Sequence, residues 1–376
     1  MRPSTHLCRA AGVALFTALL ATPAFGQTAT TDPVGFITVN AAGNADSYTF
    51  IPFKRTPEYA GAVATPGGVS GNVLTIAGTP NFTANQFVYV QGTQPKKYYT
   101  LFTSGPKLGM YYSITANGTN TLTIDPAGDD ISGVSGATLN VIPYDTLGSI
   151  FPAGQGVNGS STHSVGARQT EILIPDTSTP GIDLASAKSY YYYTGALGVG
   201  PGWRLAGAIG TIANDDILFP DSPFIVRHNV ATATSITYMG TVHMGTLTTP
   251  VGTINSSTDQ DVSVSLPIAA DLTLAQTKLF ESGAFVGSTT HSVGSRQDQL
   301  LVWDNAIAGK DKAADRSYYY YTGALGAGPG WRLAGDIGTV RNNDVVFTSS
   351  VGIAIRKKAS ATSTGAIWTV KPPYVP

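Results

Sequence analysis

Cysteine is nearly absent from this chain: Cys8 is the only one in 376 residues. It lies at the front of an N-terminal apolar segment, ahead of that segment's core. A chain without that segment has no disulfide and no thiol chemistry, so it must rest on packed cores. Charge is also scarce. Asp, Glu, Lys and Arg make up 12% of the residues, with a formal net charge of −1, against about 25% in an average globular protein. No basic patch stands out, which excludes the electrostatic footprint needed for nucleic acid or anionic lipid. Long amphipathic helical patterns are missing too. The apolar run Ala10–Leu20 is 11 residues long, too short to cross a bilayer as a helix.

What is present at the N-terminus has the form of a secretory signal. Arg2 and Arg9 precede the apolar run, and Ala24-Phe25-Gly26 places small residues around a cleavage site after Gly26. Residues 1–26 are therefore expected to leave, and Gln27 to begin the mature chain. Loss of Arg2 and Arg9 takes the formal net charge from −1 to −3. The protein is expected to be exported to the outer surface or the extracellular space, or to stay in the periplasm.

The chain then repeats itself. Residues 163–219 and 291–347 align at an offset of 128 without a gap, and 35 of the 57 positions are identical. The shared text is HSVGxRQ, SYYYYTGALGxGPGWRLAG and a closing Asn/Asp-rich turn. Two units of one fold in tandem are the simplest source of such a match. Short β-branched and aromatic runs recur every 8–12 residues, punctuated by Gly, Asn, Pro and Asp, which reads as all-β. Only Thr56–Ala64 and Asp271–Glu281 have the look of short helices. The runs are shorter than the 9–11 residues of an outer-membrane barrel strand, the alternative architecture for an exported chain.

The two units differ at their fronts. Asp261–Ile268 runs almost directly into its unit, whereas the matching Ser47–Phe53 is followed by roughly 90 residues before the match resumes. An inserted small β-barrel-like domain at about 60–144 accounts for the difference. The expected organisation is residues 1–26 as signal, 27–235 as the first β-sandwich or jelly-roll-like unit with its insert, 236–358 as the second unit, and 359–376 as a C-terminal tail.

VGFITVN, IPYDTLGSIFP, HSVGxRQ, SYYYY…GPGWRLAG and FIVRH together resemble an uncharacterised family of secreted proteins, mainly verrucomicrobial. The likeness covers most of the chain after the signal. It implies secretion and a β-rich repeated fold, and it implies no activity. Unit 2 departs from it, reading DLTLAQTKLFE where unit 1 reads YDTLGSIFP.

Several residues are candidates for chemistry. In a strand Tyr190 and Tyr192 face one way and Tyr191 and Tyr193 the other, and Tyr318, Tyr319, Tyr320 and Tyr321 repeat this. One pair in each run is expected in the core. The other would form an aromatic strip, either packed across strands or open to sugar rings or a protein. Trp203 and Trp331 are expected to plug the cores with their indole N–H bonded. Arg204 and Arg332 follow them, with Asp176 or Asp216, and Asp304 or Asp344, as carboxylate partners. The glycine loop before each lacks the Lys-Ser/Thr and the helix of a phosphate loop.

His163 and His291 open each repeat, and they read as structural. No His or Cys sits at zinc-ligand spacing, and no GxSxG accompanies them. The acidic turns at Asp215, Asp216 and Asp344 are weak calcium candidates; no other cofactor is expected. A glycosidase would need two carboxylates across a cleft, and no pair is marked in the sequence.

The reading is an exported, non-catalytic structural protein that associates with itself through strand edges and aromatic faces. Cell-surface glycan binding is the alternative, and a polysaccharide-active enzyme comes behind it. The apolar arm Thr31–Val39 would either pair in its own unit or donate a strand to a neighbour.

Overall fold

The computed structural model describes residues 32–349 and 351–376. The segment expected to be a signal, residues 1–26, and Thr31 of the expected arm lie outside the described residues. Within them the chain is all-β, as the strand rhythm predicts.

Two five-stranded antiparallel sheets share one strand order. The first runs Gly202–Leu205, Lys188–Tyr193, Thr170–Ile174, Phe224–His228, Asp46–Thr49. The second runs Gly330–Leu333, Arg316–Tyr321, Gln299–Asp304, Val351–Lys357, Gln260–Ser263. Register ties them residue by residue. Ile172 pairs with Tyr190 and Val226, and Leu300 pairs with Tyr318 and Ile355. On one face of each sheet lies a two-stranded ribbon, Val34–Ala41 with Thr234–Thr241 and Leu247–Pro250 with Ile367–Val370. The core of the first unit joins Ile172, Tyr190, Trp203 and Val226 of the sheet to Val39 and Ile236 of the ribbon. In the second, Leu300, Tyr318, Trp331 and Ile355 meet Leu247 and Trp368. Each unit is thus a lopsided sandwich, with alternate residues of every strand entering the core.

The ribbons move two expected boundaries. The first unit runs on through Thr241, past residue 235. The second closes with Ile367–Val370, so residues 359–376 are no tail. Trp368 is fully buried, and its indole N–H donates to Thr277 O at 2.6 Å. A polar linker before the strand hides this in the sequence, because the partner strand lies 120 residues upstream.

The insert is a curled seven-stranded sheet spanning Tyr59–Ala62 to Thr138–Pro143. A bridge between Val63 and Ile76 brings its two ends together around Leu74, Phe87, Phe102, Leu122 and Leu139. Its outer face meets the first unit through Tyr99, Ile142 and Tyr144, with Tyr144 edge-on to Phe219 at 5.6 Å.

Neither expected helix forms. Tyr59–Ala62 is a strand paired with Thr138–Val141, and cross-strand pairing outweighs a weak helical preference. After the short strand Leu272–Thr273, the Thr277 hydroxyl bonds Leu274 O at 2.6 Å and the Thr273 hydroxyl accepts from Gln276 N at 3.3 Å. These local bonds hold turns in place of a helix. The α-helix that does form, Leu147–Ile150, lies in the TLGSIFP segment and is held by a capping box between Thr146 and Ser149.

One core position is solved differently in the two units. In the second, Lys357 Nζ bonds Asp298 Oδ2 at 2.5 Å, with the side chains 1% and 0% exposed. Lys357 also reaches Ala284 O at 2.6 Å, and Asp298 accepts from Val286 N and Lys358 N. In the first unit the same places hold Thr170 and His228. Asn158 N donates to the Thr170 hydroxyl at 2.9 Å, and that hydroxyl meets His228 Nδ1 at 2.7 Å. His228 Nε2 lies 2.9 Å from the Thr234 hydroxyl, which donates to Gly156 O at 2.7 Å. The network assigns the proton to Nε2. A long lysine reaches its carbonyl directly, and a shorter histidine reaches it through a threonine.

Lys357→Met should destabilise the protein by about 3–5 kcal/mol, because it leaves Asp298 buried without its countercharge. His228→Leu breaks only neutral hydrogen bonds and should cost about 1–3 kcal/mol. Urea unfolding of both variants checks the ranking; an equal or reversed order would show that Asp298 does not carry a buried charge.

Candidate functional site

The three repeated motifs converge on one layer in each unit. On the face of the sheet opposite the ribbon, His163 stacks on Tyr193 at 4.0 Å, and its Nδ1 meets the Tyr191 hydroxyl at 2.7 Å. The Arg168 guanidinium lies 4.7 Å over the Tyr191 ring, and that of Arg204 lies 5.7 Å from the Tyr193 ring. The second unit repeats this with His291 on Tyr321 at 4.0 Å, His291 Nδ1 to Tyr319 at 2.6 Å, Arg296 over Tyr319 at 4.5 Å and Arg332 by Tyr321 at 5.8 Å. Aromatic faces neutralise part of the cost of holding guanidinium groups away from water.

This layer corrects the expectation of an open aromatic strip. Tyr190, Tyr191, Tyr193, Tyr318, Tyr319 and Tyr321 are buried, while Tyr192 and Tyr320 are half-buried against Trp203 and Trp331. Tyr320 also lies flat on Phe280 at 3.6 Å. Both faces of the strand are covered, one by the core and one by the His–Arg layer, so no ring row is left for a sugar.

Arg204 and Arg332 take no carboxylate either. Arg204 Nη1 donates to Trp203 O at 3.0 Å and Nη2 to Gly200 O; Arg332 does the same to Trp331 O and Gly328 O. Asp216 and Asp344 are on the other face, accepting from Tyr190 and Tyr318. Each arginine therefore staples its own glycine loop. Gly200 and Gly328 have φ of 72° and 70°, a conformation that suits glycine.

Trp203 and Trp331 are buried as expected. The indole N–H of Trp203 reaches Phe151 O at 3.4 Å, whereas that of Trp331 has no acceptor. Asp215 accepts from Tyr89, so Asp215, Asp216 and Asp344 are each engaged with a tyrosine. Among the described residues no group of three His, Cys, Asp or Glu side chains is placed to hold a metal. Ser164 and Ser292 make no bond to their neighbouring histidines.

Sequence reasoning missed the seam between the units. Arg227 is held by Asp46 of its own unit at 2.7 Å through Nε, and by Asp311 of the other. Arg356 is held by Asp261 at 2.7 Å and by Asp183 of the other unit at 2.7 Å. Backbone contacts follow the same exchange. Asp46 N donates to Gly309 O and Asp261 N to Gly181 O, both at 2.9 Å. Asp183 and Asp311 share a φ of 51°, so the two turns match. The identity of Gly181 with Gly309 and of Asp183 with Asp311 is the signal that could have located this seam.

A cleft runs along the seam as three adjoining cavities of 140, 230 and 310 Å³. Tyr48 and Trp303 line one end, Tyr111 and Asp221 the other, and Ser263 borders all three. Tyr111 donates to Asp221 at 2.6 Å, and burial raises the carboxyl of Asp221 above the usual range.

His243 is buried on the segment joining the units, with Nδ1 unpaired and Nε2 3.4 Å from Thr246 O. Burial, reinforced by nearby Lys54, lowers it to about 4. The folded state therefore binds fewer protons than the unfolded state between the two values, and stability falls as pH drops from about 6.5 towards 4. Wild type should lose about 3 kcal/mol relative to His243→Gln across that window. Parallel urea titrations at pH 7 and pH 4 test this, and a constant difference would remove His243 as the titrating group.

Comparison of the chain with protein-family models, with curated proteins and with solved structures finds no match.

Proposed function

We propose that this chain is an exported, non-catalytic structural protein of the cell surface or extracellular space, and that it assembles by pairing the strand Val34–Ala41 with the same strand of a second copy. The observation that carries the reading is the state of the sheet edges. At both ends of each five-stranded sheet the backbone is met by its own chain. Ala213 N takes Trp203 O, and Gly309 O takes Asp46 N; Arg341 N takes Trp331 O, and Gly181 O takes Asp261 N.

The ribbon of the first unit has no such cover. Thr241 exchanges both backbone bonds with Lys54, so the alternation of the ladder turns the N–H and C=O of Val34, Phe36, Thr38 and Asn40 outward. The same residues carry the exposed side chains. Val34 is 79%, Phe36 73% and the cross-strand neighbour Met239 78% exposed. Neither VGFITVNA nor TSITYMGT contains a charge, the usual guard on an open edge. Two copies related by a two-fold axis at Thr38 would place Phe36 beside Asn40 of the other copy and pair the outward N–H and C=O groups. The strand itself pairs within its own chain, so the arm is a platform and no swapped strand.

A non-catalytic reading is supported by the repeated polar layer, whose arginines spend their hydrogen bonds largely on their own backbone. Thr38→Pro removes an outward N–H and leaves the ribbon's inner bonds in place; Phe36→Lys adds an edge charge. Sedimentation velocity of the mature protein should show concentration-dependent oligomers that both variants reduce to monomer. A wild type that stays monomeric at high concentration, or variants that assemble as wild type does, would sink the reading.

A further inference from the structure

Along the seam one backbone frame carries two sets of side chains. The turn after Gln299–Asp304 and the turn after Thr170–Ile174 share their fixed points. Asp304 Oδ1 accepts from Ala306 N at 2.9 Å, and Asp176 Oδ1 from Ser178 N at 2.8 Å. Asp311 N donates to Asp46 at 2.9 Å, and Asp183 N to Asp261 at 3.0 Å. On either side of Asp304 the first turn has Trp303 and Asn305, where the second has Pro175 and Thr177 about Asp176. On the facing strands Tyr48 corresponds to Ser263.

The filled half shows what the position accepts. Trp303 stacks on Tyr48 at 5.3 Å. The Asn305 carboxamide clasps the Tyr48 backbone, accepting from Tyr48 N at 2.8 Å and donating to Tyr48 O at 2.7 Å. In the other half the ladder points Ser263 the same way. Asp261 N turns out to Gly181 O, and Val264 N turns in to Ile353 O, so the N–H and C=O of Ser263 face the cleft. No described residue takes them up. Thr177 has no carboxamide to offer, and Pro175 leaves the space of an indole open.

We propose that the cleft beside Ser263 docks an extended polypeptide, one residue of which gives Ser263 the acceptor and donor that Asn305 gives Tyr48. An extended residue presents a C=O and an N–H on one edge, which matches the vacancy. The trans amide of an N-acetylated sugar holds its N–H and C=O on opposite sides and cannot meet both at once. The cleft's charge fits a weakly charged occupant. Asp183 and Asp261 are already bound to Arg356, and Pro175, Pro223 and Phe219 supply apolar walls. An aromatic side chain beside that residue would fill the space left open by Pro175, as Trp303 lies against Tyr48 in the filled half.

The probe is a fluorescently labelled synthetic peptide of residues 301–308, LVWDNAIA, titrated into the mature protein and followed by anisotropy. Wild type should bind it saturably. Thr177→Asn, which places a carboxamide at Ser263 from within, should weaken binding at least tenfold while its thermal midpoint stays at or above that of wild type. The Thr38→Pro variant should bind as wild type does, which separates this site from the ribbon edge. No saturable binding, or equal binding by wild type and Thr177→Asn, overturns the proposal. So does failure of the peptide where an N-acetylated oligosaccharide binds.

Discussion

The rest of the molecule depends on two guanidinium groups shared across the seam. Arg227 and Arg356 sit on the strands next to the sheet edges, each gripped by a carboxylate from its own unit and one from the other. A charge held on two sides in a partly desolvated place fixes geometry more than it adds stability. Here it fixes the two sheets edge to edge, and both edge strands then find backbone partners in the opposite turn. The protein closes its most adhesive surfaces upon itself. That is why the cleft lies where it does, beside an edge strand that is met by the opposite turn at Asp261 and left open at Ser263.

The repeated layer of arginine, tyrosine and histidine serves the same end inside each unit. Three motifs of one repeat meet on the back of one sheet, and the guanidinium of the glycine-loop arginine ends on that loop's own carbonyl. Removing the ring faces would strand a buried cation; removing the arginine would release the loop. In both units the same rings, imidazole and guanidinium groups pack on one another. The Lys357–Asp298 and His228–Thr170 positions show the opposite case. There the carbonyl of Ala284 or Gly156 and the amide of Val286 or Asn158 are matched by two quite different side-chain pairs, while Asn229 N, the counterpart of Lys358 N, turns to Gln169 O.

Much of this was legible in the sequence. The 128-residue offset announces the duplication, the short β-branched runs announce the fold class, and the late resumption of the match locates the insert. The burial of Trp203 and Trp331 followed from their place beside a glycine loop. The face of a tyrosine is set by alternation, but whether that face is covered depends on a loop 28 residues away, so the sequence left open whether the second pair of each run is packed or exposed. Arg204 looked for a carboxylate because charge suggests charge, yet Asp216 lies across the sheet. The run Ala366–Val370 reads as strand-like, but its place in the second unit was hidden by its distance from its partner. Within the seam, Asp183 and Asp311 were visible as repeated acids, but nothing local says that each serves the other unit.

The ribbon that joins Val34–Ala41 to Thr234–Thr241 also sets a clock. Its first strand leaves the ribosome about 200 residues before its second, a wait of roughly 10–40 s at ordinary rates of synthesis. During that interval an uncharged, apolar strand has nothing native to pair with, and loops this long close late in folding. Until Thr241 appears, the chain's stickiest segment must be kept from other chains by something other than its own fold.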